Sequence, residues 1–344
     1  MLTPRTAAAR GVILVFASLA LASLLNAQGL RKTADIQPPG FKRTLAMSVT
    51  HVLVGVSHHL YLDRPRQELL SAVGRGSEDT IDDTIHLAVA VPPRSPGRAV
   101  SLPAARPSPS RPSLPVFTAV KPLRVWVAGD SLAAVPGQAL ERIVGTRGPV
   151  DVLAVESRLS TGLGRPDLYN WFTRLHQVIG QLHPNVVVLS FGADDAHNYL
   201  SGVPAGGTIG PLGSASWNAE YRRRVDGVTR ELNAAGIYVV WLGTPIPRGS
   251  GFHRSFQVVN RVIRSVVAAH PKTSAYIDEW SLLSDSQHGY SDYLPNAKGR
   301  LVLMRAPDGV HLEPPAGDLI ARAVLGRLQR VFVLTAKGAS RGST

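Results

Sequence analysis

The stretch Arg124-Val125-Trp126-Val127-Ala128-Gly129-Asp130-Ser131-Leu132 reads as a β-strand that stops at a glycine and hands over to a serine. Its first five residues are rich in β-formers, so Ser131 is expected on a strand-to-loop turn at the carboxyl end of a strand. In open α/β sheets that edge is where ligands bind. Near the C-terminus, Asp308-Gly309-Val310-His311 sets a carboxylate three residues before a histidine. The spacing lets Asp308 fix the tautomer and orientation of His311 while the ring faces elsewhere, the arrangement of a general base and its orienter. Together the two motifs supply the three parts of an activated hydroxyl nucleophile.

From Lys121 onward, apolar runs alternate with helical patterns. Candidate strands are Arg124–Ala128, Val150–Val155, Asn185–Phe191, Ile237–Leu242 and Ala275–Ile277. Candidate helices lie near Pro136–Val144, Leu168–Leu182, Ser216–Ala235, Phe252–Ala269 and Pro315–Val331. The alternation predicts a five-stranded parallel sheet covered on both faces, a three-layer α/β/α sandwich over residues 121–332. The Gly-rich stretch from Gly202 to Gly213 lacks the Gly-Lys-Ser/Thr ending and the strand-then-helix context of a phosphate loop. It reads as a long surface loop near the active edge, placed to serve as a lid.

The residues before this domain have a different composition. Gly11 to Ala27 carries no charge and is mostly apolar, which marks residues 1–30 as a membrane anchor or a signal peptide. Ala20-Leu21-Ala22 resembles a cleavage site, but apolarity continues through Leu24 and Leu25 and favours an uncleaved anchor. Residues 31–90 form a juxtamembrane segment with an amphipathic helix at about Thr44–Leu62 and a second around Gln67–Val73, able to lie on a membrane or to pack on the domain. His51, His58 and His59 fall here without a carboxylate pattern and read as ordinary side chains, so no metal is implied. Residues 91–120 are so rich in Pro, Ser and Arg that they read as an extended linker, disordered over 91–115, with 333–344 a disordered tail. A fragment starting near Lys121 is then expected to fold alone.

The 344 residues carry a formal net charge of +13 and no cysteine, which excludes disulfides and thiolate zinc sites. The positive excess is spread along the chain: 13 Lys/Arg against 7 Asp/Glu over residues 1–120, and 22 against 17 over residues 121–332. No basic run is interleaved with aromatics, so nucleic acid is not an expected partner. A solvated surface near an anionic envelope accounts for the excess.

Two further blocks fall after the second and third strands: Ser160-Thr161-Gly162-Leu163-Gly164 and Phe191-Gly192-Ala193-Asp194-Asp195. Four blocks in this order, all on one carboxyl edge, resemble the SGNH (GDSL-type) hydrolase family over residues 121–332. More narrowly the chain is similar to a bacterial membrane-anchored subgroup of largely unknown function. That likeness rests on Gly164-Arg165-Pro166-Asp167, Trp217 and Tyr221 ahead of Arg224-Val225, Gly289-Tyr290, and Arg305 just before Asp308. The resemblance implies a flavodoxin-like fold, Ser131 as nucleophile, His311 as base and Asp308 as its orienter. It also implies an oxyanion hole made by the backbone N–H groups of Ser131 and Gly162 and by the residue at position 194.

The family's third block normally reads Gly-x-Asn-Asp, and its asparagine amide donates to the oxyanion. This chain has Asp194 there. An ionised carboxylate only accepts hydrogen bonds, whereas a carboxyl held neutral by an apolar site can donate. Asp130 is expected to hold the nucleophile turn through backbone bonds, Asp195 to cap the loop or helix that comes after it, and Asp278 to be structural. His197 reads either as a second pocket histidine or as an exposed loop residue. Arg158, Arg165 and Arg305 either line an anionic or sugar-rich cleft or are simply solvated.

The resemblance implies an extracytoplasmic serine esterase, without cofactor or metal, that removes O-acetyl or other acyl groups from an envelope carbohydrate or small ester through an acyl-enzyme. An O-acyltransferase using the same site and a catalytically impaired envelope-binding module are the alternatives. The expected location is the cell membrane, through the N-terminal segment, or the exterior if that segment is cleaved.

Overall fold

The computed structural model describes residues 4–73, 76, 79–85, 87, 114–203 and 209–335. The chain divides into two compact units, Met1–Asp83 and Thr84–Thr344.

In the first unit, α1 (Pro4–Leu25) is followed by α2 (Ala27–Asp35), α3 (Phe41–His59) and α4 (Arg64–Ala72). Both juxtamembrane helices read from the sequence are present. α2 and α3 lie antiparallel: Arg43 donates to the Asp35 carboxylate at 2.6 Å, and an Arg31 nitrogen lies 3.1 Å from His51 Nδ1. Among the described residues no single helix is long and apolar enough to cross a membrane. Two bent pairs are so by length and composition: Ala9–Leu25 with Ala27–Asp35, bent by 74°, and Phe41–His59 with Arg64–Ala72, bent by 87°.

The second unit runs β1 (Val116–Thr118), β2 (Leu123–Gly129), a 3-10 turn (Ser131–Ala133), α5 (Ala134–Val144), β3 (Val150–Ser157), α6 (Trp171–Leu182), β4 (Val186–Ser190), α7 (Ala215–Ala234) and β5 (Tyr238–Leu242). It continues with α8 (Ser250–Ala269), β6 (Ser274–Ile277), α9 (Glu279–Leu282), β7 (Tyr293–Pro295), β8 (Leu301–Leu303), α10 (Pro314–Leu328) and β9 (Val333–Thr335). Five strands form one parallel sheet in the order β3-β2-β4-β5-β6. All five are the strands read from the sequence, with ends shifted by a residue or two.

Alternation along each strand builds two cores. Trp126 and Ala128 of β2 and Val187 and Leu189 of β4 face the layer of α6, α7 and α8. Val125 and Val127, with Val186 and Val188, face the layer of α5 and α10. Every residue of β4 and β5 is buried, as expected for central strands of a sheet covered on both sides. Counted by strand, the order is 2-1-3-4-5, and the chain leaves β2 in one direction and β4 in the other. The crevice between the carboxyl ends of β2 and β4 is therefore the topological switch point, where doubly wound sheets bind ligands.

The domain limits need three corrections. Residues 333–335, assigned from sequence to a disordered tail, form β9 and pair in parallel with β1 inside the expected linker, Val116 opposite Val333. Ile85 and Leu87, placed in the juxtamembrane segment, pack on the α6–α8 core, and Asn170 Nδ2 donates to the Thr84 carbonyl at 2.8 Å. A fragment beginning at Lys121 would lack both contacts. The rest of the expected linker and tail, at residues 91–113 and 336–344, and residues 204–208 of the Gly-rich loop lie outside the described residues. A small antiparallel hairpin of β7 and β8, absent from the sequence reading, precedes the Asp308–His311 loop.

Candidate active site

The nucleophile turn is built by close backbone approach. Asp130 N donates to Ser190 O at 2.9 Å, and a Cβ on Gly129 would collide with that same carbonyl, so only glycine lets β2 end this close to β4. The fully buried Asp130 carboxylate accepts from Leu132 N at 2.9 Å and from Gly192 N and Ala193 N at 3.2 Å. It thus locks the first block to the third, the role expected of it. Ser131 opens the 3-10 turn, so its N–H has no acceptor within that turn and is available to a ligand oxygen.

His311 Nε2 lies 2.7 Å from Ser131 Oγ, and its Nδ1 lies 2.5 Å from Asp308 Oδ2. The other Asp308 oxygen accepts from the backbone N–H groups of Val310 and His311, both at 2.9 Å. Burial pushes the Asp308 carboxyl up, but the His311 bond and the two N–H groups outweigh it and bring its pKa to about 2. Asp308 is therefore ionised whenever the base is working. Its acceptor oxygen selects the tautomer with the proton on Nδ1, leaving Nε2 to accept from serine.

Asp194 stands beside this relay. Burial raises its pKa, while the positive potential of His197 and His311 and the Ser160 backbone N–H partly oppose the rise. His197 is thus close enough to act on a pocket carboxyl. Asp130 feels the same crowding: burial and then the charge of Asp194 push its pKa well above the usual range. The Gly162 N–H makes no backbone hydrogen bond, and a Cβ there would run into the Asp195 carboxylate. The second block contributes one residue the sequence did not single out. Ser160 carries φ +56°, a strained value for a non-glycine residue, and its N–H faces Asp194.

Asp195 departs from its expected role, because it reaches back to the second block instead of capping the loop after it. Its buried carboxylate accepts from Gly164 N at 2.5 Å and from the Tyr221 hydroxyl at 2.6 Å. Arg224, fully buried on α7, completes the clamp by donating to Leu163 O at 2.8 Å and Ser201 O at 2.6 Å, with Glu220 at 2.7 Å. Arg224→Met is expected to cost about 3 kcal/mol by leaving the Leu163 and Ser201 carbonyls unpaired and Glu220 with Arg223 alone, read as a lower urea midpoint.

The three arginines offered as cleft residues are engaged within the protein. Arg305 is buried and donates to Ile246 O at 2.7 Å and Val310 O at 3.3 Å, so it anchors the histidine loop. Arg165 pairs with Asp167 at 2.7 Å, and Arg158 pairs with Glu156 at 3.2 Å while lying over the Tyr169 ring. Asp278 caps α9 and pairs with Arg264 at 3.0 Å, a structural role as expected.

A Ser-His-Asp relay at the switch point of a 2-1-3-4-5 sheet, with all four blocks on one edge, defines the SGNH (GDSL-type) hydrolase class. Within that class the chain belongs to the family described as protein of unknown function DUF459, whose model matches residues 124–327. No curated protein matches the chain. Among solved structures it is similar to a lipase/acylhydrolase from Enterococcus faecalis, with 20% identity, a TM-score of 0.42, and coverage of 63% of this chain and 99% of that one. It is also similar to TesA, with 19% identity, a TM-score of 0.41, and coverage of 60% and 99%. A third is the esterase EstA from Pseudoalteromonas sp., with 13% identity, a TM-score of 0.40, and coverage of 60% and 97%.

Proposed function

We propose that this chain is a serine esterase that removes small acyl groups, acetyl foremost, from an envelope carbohydrate, and that its N-terminal helix tethers it to a membrane with the catalytic unit outside. The observation that carries the chemistry is the unbroken relay from Ser131 through His311 to Asp308, at 2.7 and 2.5 Å. In the reaction, Ser131 Oγ attacks the ester carbonyl as its proton passes to His311 Nε2. The tetrahedral oxyanion faces the Ser131 and Gly162 N–H groups and the Asp194 carboxyl, which donates to it when neutral. Collapse expels the alcohol, which takes the proton back from His311, and water then cleaves the acyl-enzyme by the same steps.

Exposure supports a small acyl group on a bulky carrier. The side chains of Asp308 and His311 are 50% and 45% exposed, so the relay opens to solvent where a polymer can reach it. A long acyl chain would need an enclosed apolar channel. The tether rests on α1, whose side chains Val12 to Phe16 are uncharged, apolar and exposed.

Fluorophosphonate labelling tests the activated serine without a natural substrate. A covalent adduct on Ser131 is expected in the full chain and none in Ser131→Ala. Absence of labelling would favour a second reading, an envelope-binding module whose oxyanion hole Asp194 has disabled. That reading draws on the like charges of Asp130 and Asp194 crowding the site.

A further inference from the structure

The first unit has three features that a simple helical tether would not need. The first is a bend. The axis turns by 74° between α1 and α2, and α3 runs back along α2. Ser57 Oγ of α3 bonds Leu24 O at 2.7 Å, which fixes the far end of α3 against the end of α1. If α1 enters a bilayer, α2 and α3 are then turned toward the plane of its surface.

The second feature is an apolar stripe. Phe41, Leu45, Val49, Val52 and Val56 recur at intervals of three and four along α3, so they share one helical face, and all five are exposed. The opposite side of the helix carries buried Thr50 and Ser57. An uncovered apolar face five side chains long is costly in water.

The third is a groove between α2 and α3, about 670 Å³ in volume, lined by Arg31, Arg43, Thr44, Ser48 and His51. Arg43 is already paired with Asp35, and the Thr44 and Ser48 hydroxyls donate to Gly40 O and Thr44 O within α3, so Arg31, 3.1 Å from His51 Nδ1, gives the groove its net positive charge and its attraction for a phosphate. An in-plane helix with an apolar face and a basic groove is the form taken by interfacial helices that bind anionic lipid surfaces.

We propose that α2 and α3 form an in-plane lipid-binding hairpin, with the α3 stripe in the acyl boundary of the bilayer and the basic groove holding an anionic phospholipid headgroup. This rests on the proposed membrane tether and adds to it. The hairpin holds the end of α1 at a fixed depth and turns a single flexible attachment into a two-point one.

The absence of cysteine makes the test direct. Single cysteines in the full chain at Leu14 in α1, at Val49 and Val52 on the stripe, and at Thr44 in the groove are labelled with a bimane fluorophore. The protein is reconstituted into phosphatidylcholine vesicles with or without phosphatidylglycerol. Expected results are quenching of positions 14, 49 and 52 by nitroxide on the lipid chains, and quenching of position 44 by aqueous iodide. Arg31→Gln is expected to lower the lipid-quenched fraction at 49 and 52 with an apparent partition change of ~5-fold in phosphatidylglycerol vesicles, and not in pure phosphatidylcholine. Iodide quenching at 49 and 52 with lipid quenching at 14 would overturn the hairpin and leave the tether standing. Shielding of 49 and 52 from both quenchers would overturn it in favour of a protein partner. Loss of lipid quenching at 14 would instead strike the tether itself.

Discussion

Asp308→Asn is expected to lower kcat for a small acetyl ester such as p-nitrophenyl acetate by about 10⁴-fold while KM and the circular dichroism spectrum stay unchanged. The amide has the shape of the carboxyl and can still accept from the Val310 and His311 N–H groups through its oxygen. Its NH2 group then faces His311 Nδ1, across a contact that is 2.5 Å in the native protein. Nδ1 must become the acceptor, so the proton moves to Nε2, which can no longer take one from Ser131. Because the native Asp308 pKa is about 2, the carboxylate is ionised across the whole working range, and the loss should be the same at every pH tested. A fall of less than tenfold would show that something other than Asp308 sets the tautomer.

The second large effect belongs to Asp194, and it depends on pH. Burial raises its pKa, and below that value the neutral carboxyl can donate to the oxyanion. As pH rises through it the O–H is lost, a negative charge appears where negative charge must develop, and kcat falls. Asparagine donates at all pH values. Wild type and Asp194→Asn should therefore run close together on the acid side. On the alkaline side the variant should exceed wild type by about 10²–10³-fold, the usual worth of one oxyanion donor. The gain should appear in kcat, because the interaction forms only in the transition state. Parallel pH–rate profiles for the two forms, with Ser131→Ala as the blank, would remove Asp194 from the oxyanion hole.

The sheet was legible because fully buried parallel strands announce themselves as short Val-rich runs, as in Val186-Val187-Val188-Leu189. β1, β9, β7 and β8 were not, since three residues at a sheet's margin are too short to show a period. The relay was legible because each of its halves is local: Asp308 sits three residues from His311, and Ser131 comes two residues after the end of its strand. The roles of charged residues acting over distance were not. Asp195 bonds a backbone N–H 31 residues earlier and Arg305 a carbonyl 59 residues earlier, and nothing in the flanking sequence points to either partner. Arg305 therefore reads as a surface cleft residue until its burial is seen. Asp194 is the opposite case, since a single departure in an otherwise regular block already set it apart.

The parallel pairing of β1 with β9 joins the first and last strands of the catalytic unit, with Thr335 Oγ1 donating to Phe117 O across 218 residues. Loop closure of that length comes late, so the pair should dock only after the main sheet has assembled and β9 has left the ribosome. A chain cut short at Phe332 would keep every residue of the site and still lack its clasp, leaving Val116–Thr118 as a lone edge open to other strands. The same closeness makes β1 and β9 a natural junction for circular permutation, in which new termini could be opened far from Ser131 without moving the relay.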